Sequence, residues 1–480
     1  MAAGSGSRRT GNERARKFRV PRDVQLRITT KKTALNTRVN LPYAERSAMV
    51  RRRIPSLALA SLALVCVVLA GCTGITPVQP APSETQVLPD GSPGISSEDR
   101  IIEANNRFAS DLYSRLANNP TYAGSNLFFS PFSISSAVAI AYEGARGTTA
   151  DEIRSAFYFP ENMTTLREGY SGLISGISRQ DAGYTLRTSN ALWAEKTHPF
   201  LPDYIRTAGR WYAANTTNLD FVNAPEESRN TINRWAEEKT ENKIRDLLPA
   251  GSIHPLTRLV ITDAVYFKGT WVLPFDTGKT RDADFRIAPG KTVQVPMMEK
   301  TDPDAVYAYA ETGDVQFIRM PYTRGNGTRL SMLVLLPRGD DIAAADKYLD
   351  PRNLSELQNS STYRRVMVYF PKFTLETKYS LPPVLASMGM HTAFSDNADF
   401  SGMDGTTYLY IEEIVHKAYV SVNEEGTEAA AATAIAMTGK GLPSEGPVPV
   451  FRADHPFLFL IQDQETGNIL FLGRVVNPEG

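Results

Sequence analysis

The chain has 480 residues, 42% of them hydrophobic and 22% charged, which is enough apolar material for one large core or two. Its formal net charge of zero hides a division, because residues 1–53 carry +12 and the remainder −12. An acidic body excludes nucleic acid as the natural partner, since phosphate binding needs a basic face. The only cysteines, Cys66 and Cys72, lie in one apolar stretch and exclude a disulfide framework or cysteine metal site in the body.

Residues 1–48 read as neither signal nor fold; they are a non-native or basic extension ahead of a start at Met49. MVRRR (49–53) is followed by an uncharged apolar run over 54–70 and then GCTG. A basic start, a short apolar core and a small-residue exit predict a secretory signal over 49–71. The run is short for a spanning helix, which needs roughly 20 residues. Leu69-Ala70-Gly71-Cys72 resembles the lipobox of prokaryotic lipoproteins, which implies lipidation at Cys72 and a membrane-anchored, extracytoplasmic protein. A plain cleaved signal, giving a secreted protein, and a single membrane anchor stand as alternatives. The Pro/Ser-rich segment that completes 72–97 reads as a tether.

The body starts near Glu98. Ile101, Ile102, Asn105, Phe108, Ala109, Leu112 and Leu116 share one helical face, with Ser97 as the predicted cap. SNLFFSPFSISSAVAIAYEGA (125–145) predicts a short strand, a Ser-Pro turn and a buried helix, and 149–157 opens another helix. A strand is predicted over 184–196, a charged amphipathic helix over 226–245 and a buried strand over 259–271. Strands follow at 315–322, 329–336 and 366–374, a helix near 380–389, and strands near 408–424. The C-terminus is a hairpin around Glu-Thr-Gly-Asn. Strands and helices mix without regular βαβ alternation, which predicts an α+β fold.

Catalytic motifs are absent from the sequence. Among the five histidines none begins HExxH, no serine sits in GxSxG, and neither GxGxxG nor a P-loop occurs. No cofactor is expected. A Ser/His/Asp triad assembled across the fold is the rival, enzymatic reading.

One stretch is unusual. EEGTEAAAATAIAMT (424–438) is rich in alanine, which favours a helix, yet it has no amphipathic stripe and runs into Gly and Pro. Taken as a strand, one face holds Thr427, Ala429, Ala431, Thr433, Ile435 and Met437, and the other Glu428, Ala430, Ala432, Ala434 and Ala436. The first face is small and uncharged, and no proline interrupts it. Such a segment suits insertion between two existing strands; the rival is an alanine-rich surface helix.

VHKAYVSVNEEGTEAAAATA (415–434) resembles the hinge of the serpins, the serine-protease inhibitors with an inserting reactive loop. SNLFFSPFSIS, TDAVYFKGTWVLPFD (262–276), VPMM (295–298), MGM…AFSDNADFSGM (388–403), FRADHPFLFLI (451–461) and LFLGRVVNP (470–478) follow in that family's order. The resemblance covers nearly all of a domain over 98–480. It implies three β-sheets, about eight or nine helices and an exposed reactive-centre loop over about 424–450. The implied function is suicide inhibition: a serine protease attacks the loop, becomes covalently attached, and is carried along as the cut loop joins the central sheet.

The resemblance also implies roles for particular residues. Glu424, Glu425, Gly426, Thr427, Glu428, Ala429, Ala430, Ala431 and Ala432 match the hinge, with Gly426 where the backbone must swing and Thr427 where insertion begins. Counting from Glu424 as in most inhibitory members puts the scissile bond at Lys440–Gly441, which suits a trypsin-like target. Met437–Thr438 is the alternative and suits chymotrypsin-, elastase- or subtilisin-like proteases. Ser130, Ser133, Asn190 and His416 match the polar "shutter" cluster beneath the strands that part. Trp271, Lys372 and Glu424 match the "breach" at the top of the sheet. Asp263 departs from the family, where asparagine is more common. No basic cluster around 160–187 suggests a glycosaminoglycan site, and the protein is expected to be monomeric. A serpin that only binds a partner, without inhibiting, is the other reading.

Overall fold

The computed structural model describes residues 94–177, 183–325, 329–427 and 446–480, which all belong to one compact unit, Gln86–Gly480. Helix α1 (Ser97–Asn118) is capped by Ser96 rather than Ser97. The Ser96 hydroxyl accepts the Asp99 N–H, and the Asp99 carboxylate accepts the Ser96 N–H. Of two successive serines, the one followed three residues later by an acid closes the capping box.

Strand β1 (Leu127–Phe129) leads through Ser130 into α2 (Pro131–Gly144). The Ser130 hydroxyl accepts the Ser133 N–H, and Pro131 occupies the first turn, where its missing N–H costs nothing. Every residue of α2 is buried, and its polar groups, Ser133, Ser135, Ser136 and Glu143, are each hydrogen-bonded. Next come α3 (Gly147–Phe157), α4 (Met163–Ile177), β2 (Tyr184–Glu195), α5 (Pro202–Tyr212), β3 (Asn215–Leu219) and α6 (Pro225–Lys239). Helix α6 ends well before residue 245. Glu241 and Asn242 have φ of 54° and 61°, and the Asn233 amide bonds Leu248 through both backbone groups, fixing the returning chain.

Strands β4 (Leu259–Thr270), β5 (Arg281–Ala288), β6 (Lys291–Lys300), β7 (Val306–Glu311), β8 (Val315–Pro321) and β9 (Leu330–Pro337) follow, then α7 (Ala343–Asp346) and α8 (Pro351–Ser360). Past β10 (Thr362–Arg365), the single strand predicted over 366–374 proves to be two, β11 (Met367–Pro371) and β12 (Phe373–Ser380), in different sheets. Pro371 has no N–H with which to extend a ladder. The chain closes with α9 (Pro382–Ser387), α10 (Ser401–Asp404), β13 (Ile411–Val422), β14 (Gly426–Thr427), β15 (Val450–Arg452), β16 (Phe457–Asp463) and β17 (Ile469–Val475).

The strands form three sheets: β1-β17-β16-β9-β8-β7-β10, β15-β11-β6-β5, and β12-β13-β14-β4-β2-β3. The α+β class and three sheets agree with expectation. The described residues hold ten α-helices rather than eight or nine, three of them only four to six residues long. Helix α2 packs against β2 and β4 of the six-stranded sheet and β17 of the seven-stranded one. It therefore sets its N-terminal serines directly behind the centre of the six-stranded sheet.

Candidate functional site

The six-stranded sheet has a seam. β4 and β13 run parallel and pair from Leu259 opposite Ile411 to Tyr266 opposite Tyr419. Beyond that point they diverge, and β14 stands between them: Thr427 pairs with Val422 on one side and Gly269 on the other, and Gly426 pairs with Thr270. Both new pairings are antiparallel. The chain reverses through Asn423–Glu425, where the Asn423 side chain accepts the N–H groups of Glu425 and Gly426.

Sterics select the residues here. A Cβ at Gly426 would lie 2.0 Å from the Gly269 carbonyl oxygen, and a Cβ at Gly269 would lie 2.7 Å from the Tyr322 ring. Glycine is required at both places for different reasons, at Gly426 by the Gly269 backbone and at Gly269 by the Tyr322 and Phe267 rings. Thr427 is fully buried, and its hydroxyl meets the Tyr322 hydroxyl at 2.7 Å. Trp271 stacks on Tyr322 with ring centroids 4.5 Å apart, and its indole N–H donates to the Asn423 carbonyl. Burial pushes the Tyr322 hydroxyl pKa far up, so it stays a neutral hydrogen-bonding group.

Glu424 lies beside this layer. Its carboxylate takes the Lys372 ammonium at 2.9 Å and the Thr280 hydroxyl at 2.8 Å, and its carbonyl accepts the Phe275 N–H. Burial alone would raise the Glu424 carboxyl; the Lys372 and backbone hydrogen bonds, with Thr280, outweigh it and hold the group below the usual range. The structure thus brings Trp271, Lys372 and Glu424 to the same end of the seam as Gly426 and Thr427. Sequence reasoning missed Tyr322, Gly269 and Thr280. Gly269 sat inside the quoted FKGTW motif, whereas Tyr322 and Thr280 carry no periodic or motif signal.

Half-way down the seam, Asp263 is the register partner of His416. Asp263 Oδ2 lies 2.8 Å from His416 Nδ1, and both side chains are fully enclosed. The Ser130 backbone N–H donates to His416 Nε2 at 3.1 Å. With Nε2 an acceptor, Nδ1 bears the proton and donates to Asp263. The Ser133 hydroxyl donates to the other Asp263 oxygen, Asn190 Oδ1 lies 3.3 Å from that hydroxyl, and the Asn190 amide also reaches Ser136. Tyr379 stacks over the imidazole at 6.3 Å. Ser130, Ser133, Asn190 and His416 thus form one network, with Asp263 at its centre. Neither serine hydroxyl bonds the imidazole, so the group is arranged to join α2, β2, β4 and β13 and not as a nucleophile with its base.

Past the described gap the chain returns at Gly446–Val450, held by a hydrogen bond from the Met367 N–H to the Pro449 carbonyl, and enters β15 parallel to β11. Glu428, Ala429, Ala430, Ala431, Ala432, Met437, Thr438, Lys440 and Gly441 lie outside the described residues, as does Cys72. Among the described residues no group of His, Cys, Asp or Glu is placed to hold a metal ion, and no helix is long and apolar enough to cross a membrane.

The site is thus a two-residue strand between β4 and β13 at the top of a parallel seam, with a buried polar network half-way down. The sequence profile of the family Serpin (serine protease inhibitor) matches residues 103–478, and the chain belongs to that family of protease inhibitors. It is similar to an uncharacterized serpin-like protein of Thermococcus kodakarensis, 40% identical across 80% of this chain and 87% of that one. It is also similar to the leukocyte elastase inhibitor of Bos taurus, 41% identical across 79% of this chain and all of the other. Among solved structures, human thyroxine-binding globulin in complex with its hormone superposes with a TM-score of 0.72 at 29% identity, over 80% of this chain and all of that one.

Proposed function

We propose that the protein is a suicide-substrate inhibitor of serine proteases, anchored outside the cytoplasm by a lipid on Cys72. The observation that carries the inhibitory reading is β14. Gly426 and Thr427 already form the first rungs of a strand between β4 and β13, and the sequence after them is small, free of proline and uncharged on the inward face through Met437. In this reading the protease serine hydroxyl adds to the Lys440 carbonyl carbon, the bond to Gly441 breaks, and the new amino group of Gly441 leaves with the proton. Freed from its C-terminal attachment, the segment from Glu428 on continues the ladder begun at Thr427. Each residue pairs backbone groups on both sides, and the ester-linked protease moves with it. A lysine before the bond suits a protease with a buried carboxylate in its specificity pocket.

The leukocyte elastase inhibitors among the relatives support a protease as partner and keep cleavage near Met437 in view. Thyroxine-binding globulin, whose solved structure holds a small ligand, supports the second reading, a binding module without inhibition. The domain plan follows the same reading: a leader ending at Gly71, a tether, and an inhibitory domain over 98–480.

Incubation with trypsin, chymotrypsin, elastase and subtilisin is expected to give an SDS-stable adduct with at least one of them. Mass spectrometry of the released C-terminal peptide is expected to find Gly441 at its start. Clean cleavage by every protease without an adduct would exclude inhibition.

A further inference from the structure

The returning end of the loop borders a groove of about 450 Å³. Gly446–Val450 form one wall, and Glu311, Gln316, Arg338 and Arg364 form the other. The loop wall is fixed. Arg364 Nη2 donates to the Pro447 carbonyl at 3.2 Å, Gln316 Nε2 to the Val450 carbonyl at 2.9 Å, and the Met367 N–H to the Pro449 carbonyl at 2.9 Å. Two prolines within that wall restrict it further.

The charges in the groove do not balance. Arg338 pairs with Glu311 at 2.6 Å, and the same carboxylate oxygen accepts the Tyr309 hydroxyl. Arg364 forms no ion pair among the described residues; its guanidinium meets only a carbonyl. The Tyr309 hydrogen bond, followed by Arg338 and Arg364, holds the Glu311 carboxyl below the usual range against its partial burial. The groove thus holds two guanidiniums against one carboxylate, and of the two only Arg338 contacts it, on a body that carries −12 overall. Beside them Val450 is 43% exposed, and arginine next to apolar surface is the composition of protein-binding centres.

Lys440 and Gly446 are six positions apart, a span of at most about 20 Å. A protease domain has a radius of that order, so one engaged at Lys440–Gly441 reaches the groove. We propose that this groove docks an acidic surface segment of the attacking protease, with Arg364 as the fork that takes a carboxylate and Arg338 as its neighbour. The proposal rests on the inhibitory reading.

The test uses whichever of trypsin, chymotrypsin, elastase and subtilisin forms the adduct fastest with the unaltered protein. Second-order rates are compared for Arg364→Glu, Arg364→Lys and Arg338→Ala across roughly 0.05–0.5 M salt. Arg364→Glu is expected to slow adduct formation about tenfold at low salt, with the deficit shrinking as salt rises. Arg364→Lys keeps the charge without the fork and is expected to fall between the two. Among the described residues the Arg338 guanidinium bonds Thr312 and Glu311, whereas Arg364 bonds the Pro447 carbonyl, so a several-fold loss in Arg338→Ala separates charge from the Arg364 anchor. The same order is expected in the Kd for that protease carrying alanine at its catalytic serine. Adduct formation at unchanged rate and salt slope in Arg364→Glu and Arg338→Ala would overturn the docking surface alone. Absence of adduct with all four proteases removes the inhibitory reading and this proposal with it.

Discussion

Asp263 and His416 face each other across the seam with no access to water. Each is tolerable there only because its lone pairs and protons are matched: Nδ1–H by Asp263, Nε2 by the Ser130 N–H, and the second carboxylate oxygen by Ser133. His416→Ala strips the carboxylate of one donor and leaves the Ser130 N–H unsatisfied. It is expected to lower stability by about 3–5 kcal/mol, read as Tm by calorimetry. Asp263→Asn keeps the shape and the pairing: its Oδ1 accepts the His416 Nδ1–H, its amide donates to the Ser133 oxygen, and the Ser133 proton turns to Asn190 Oδ1. A change of no more than about 1 kcal/mol is expected by the same calorimetry; a loss as large as that of His416→Ala would mean that the carboxylate charge itself is required. Glu424 makes a pH-dependent contribution of definite sign. Its folded pKa is depressed, so the stabilisation is complete above the ordinary carboxylate value near 4.3 and is lost as pH falls through the lowered folded value. The Tm difference between the unaltered protein and Glu424→Gln is expected to be largest near neutrality and to close as pH is taken below about 4; a constant difference would mean Glu424 acts by shape alone.

Strand β14 is only two residues long and places Gly426 and Thr427 in the sheet; the alanines after them lie outside the described residues. Gly426 is the position where that placement can be tested most sharply, since a Cβ there meets the Gly269 backbone and backbone cannot step aside. Gly426→Ala is expected to expel Thr427 from the sheet. The check is fluorescence of Trp271, which loses its Asn423 partner and gains solvent, with slower adduct formation alongside. Other elements differed in how plainly the sequence announced them. Helices α1 and α2, strand β4 and the β16–β17 hairpin were legible because their apolar periods are long and unbroken. Helix α4 was not, because Gly169, Gly172 and Gly176 break up its apolar pattern and lower its helix propensity. The first two are there for packing: a Cβ at Gly169 would lie 2.4 Å from Ile101 and one at Gly172 1.8 Å from Glu98, so α1 rests directly on α4. Helices α5 and α8 and the β5–β6 hairpin were also unforeseen, and α6 was drawn too long because a charged amphipathic pattern continues past the left-handed turn at Glu241 and Asn242. The site residues were legible by motif resemblance, not by any local physical signal. His416, Asp263 and Ser133 are far apart in sequence, and only the sheet register and the N-terminus of α2 bring them together.

At the scale of the molecule, the six-stranded sheet holds a parallel ladder of eight residue pairs between β4 and β13, topped by the antiparallel rungs of β14. A strand added along the whole seam replaces one parallel ladder by two antiparallel ones, the slightly stronger kind per residue. If about ten further hydrogen bonds each contribute roughly 1 kcal/mol net, the gain is on the order of 10 kcal/mol. Burial of Ala429, Ala431, Thr433, Ile435 and Met437 adds to it, and the broken Asp263–His416 contact offsets a part. Under the inhibitory reading proposed above, the intact fold is then not the most stable one this chain can reach, and cutting the loop releases it. For a domain of this size such a gain corresponds to a rise in Tm on the order of 10–20 °C. The measurement is scanning calorimetry of the intact protein and of protein nicked in the loop by a protease that it does not trap, with both fragments retained. Thr427→Arg supplies the control, because a charged side chain at a fully buried position blocks the strand at its first inward residue. The nicked variant is expected to melt with its intact form, and its encounter with the target protease to end in turnover without adduct. A nicked unaltered protein that melts within a degree or two of the intact one would place the chain with binding serpins. A Thr427→Arg protein that still gains stability and still traps protease would mean that insertion does not begin at β14.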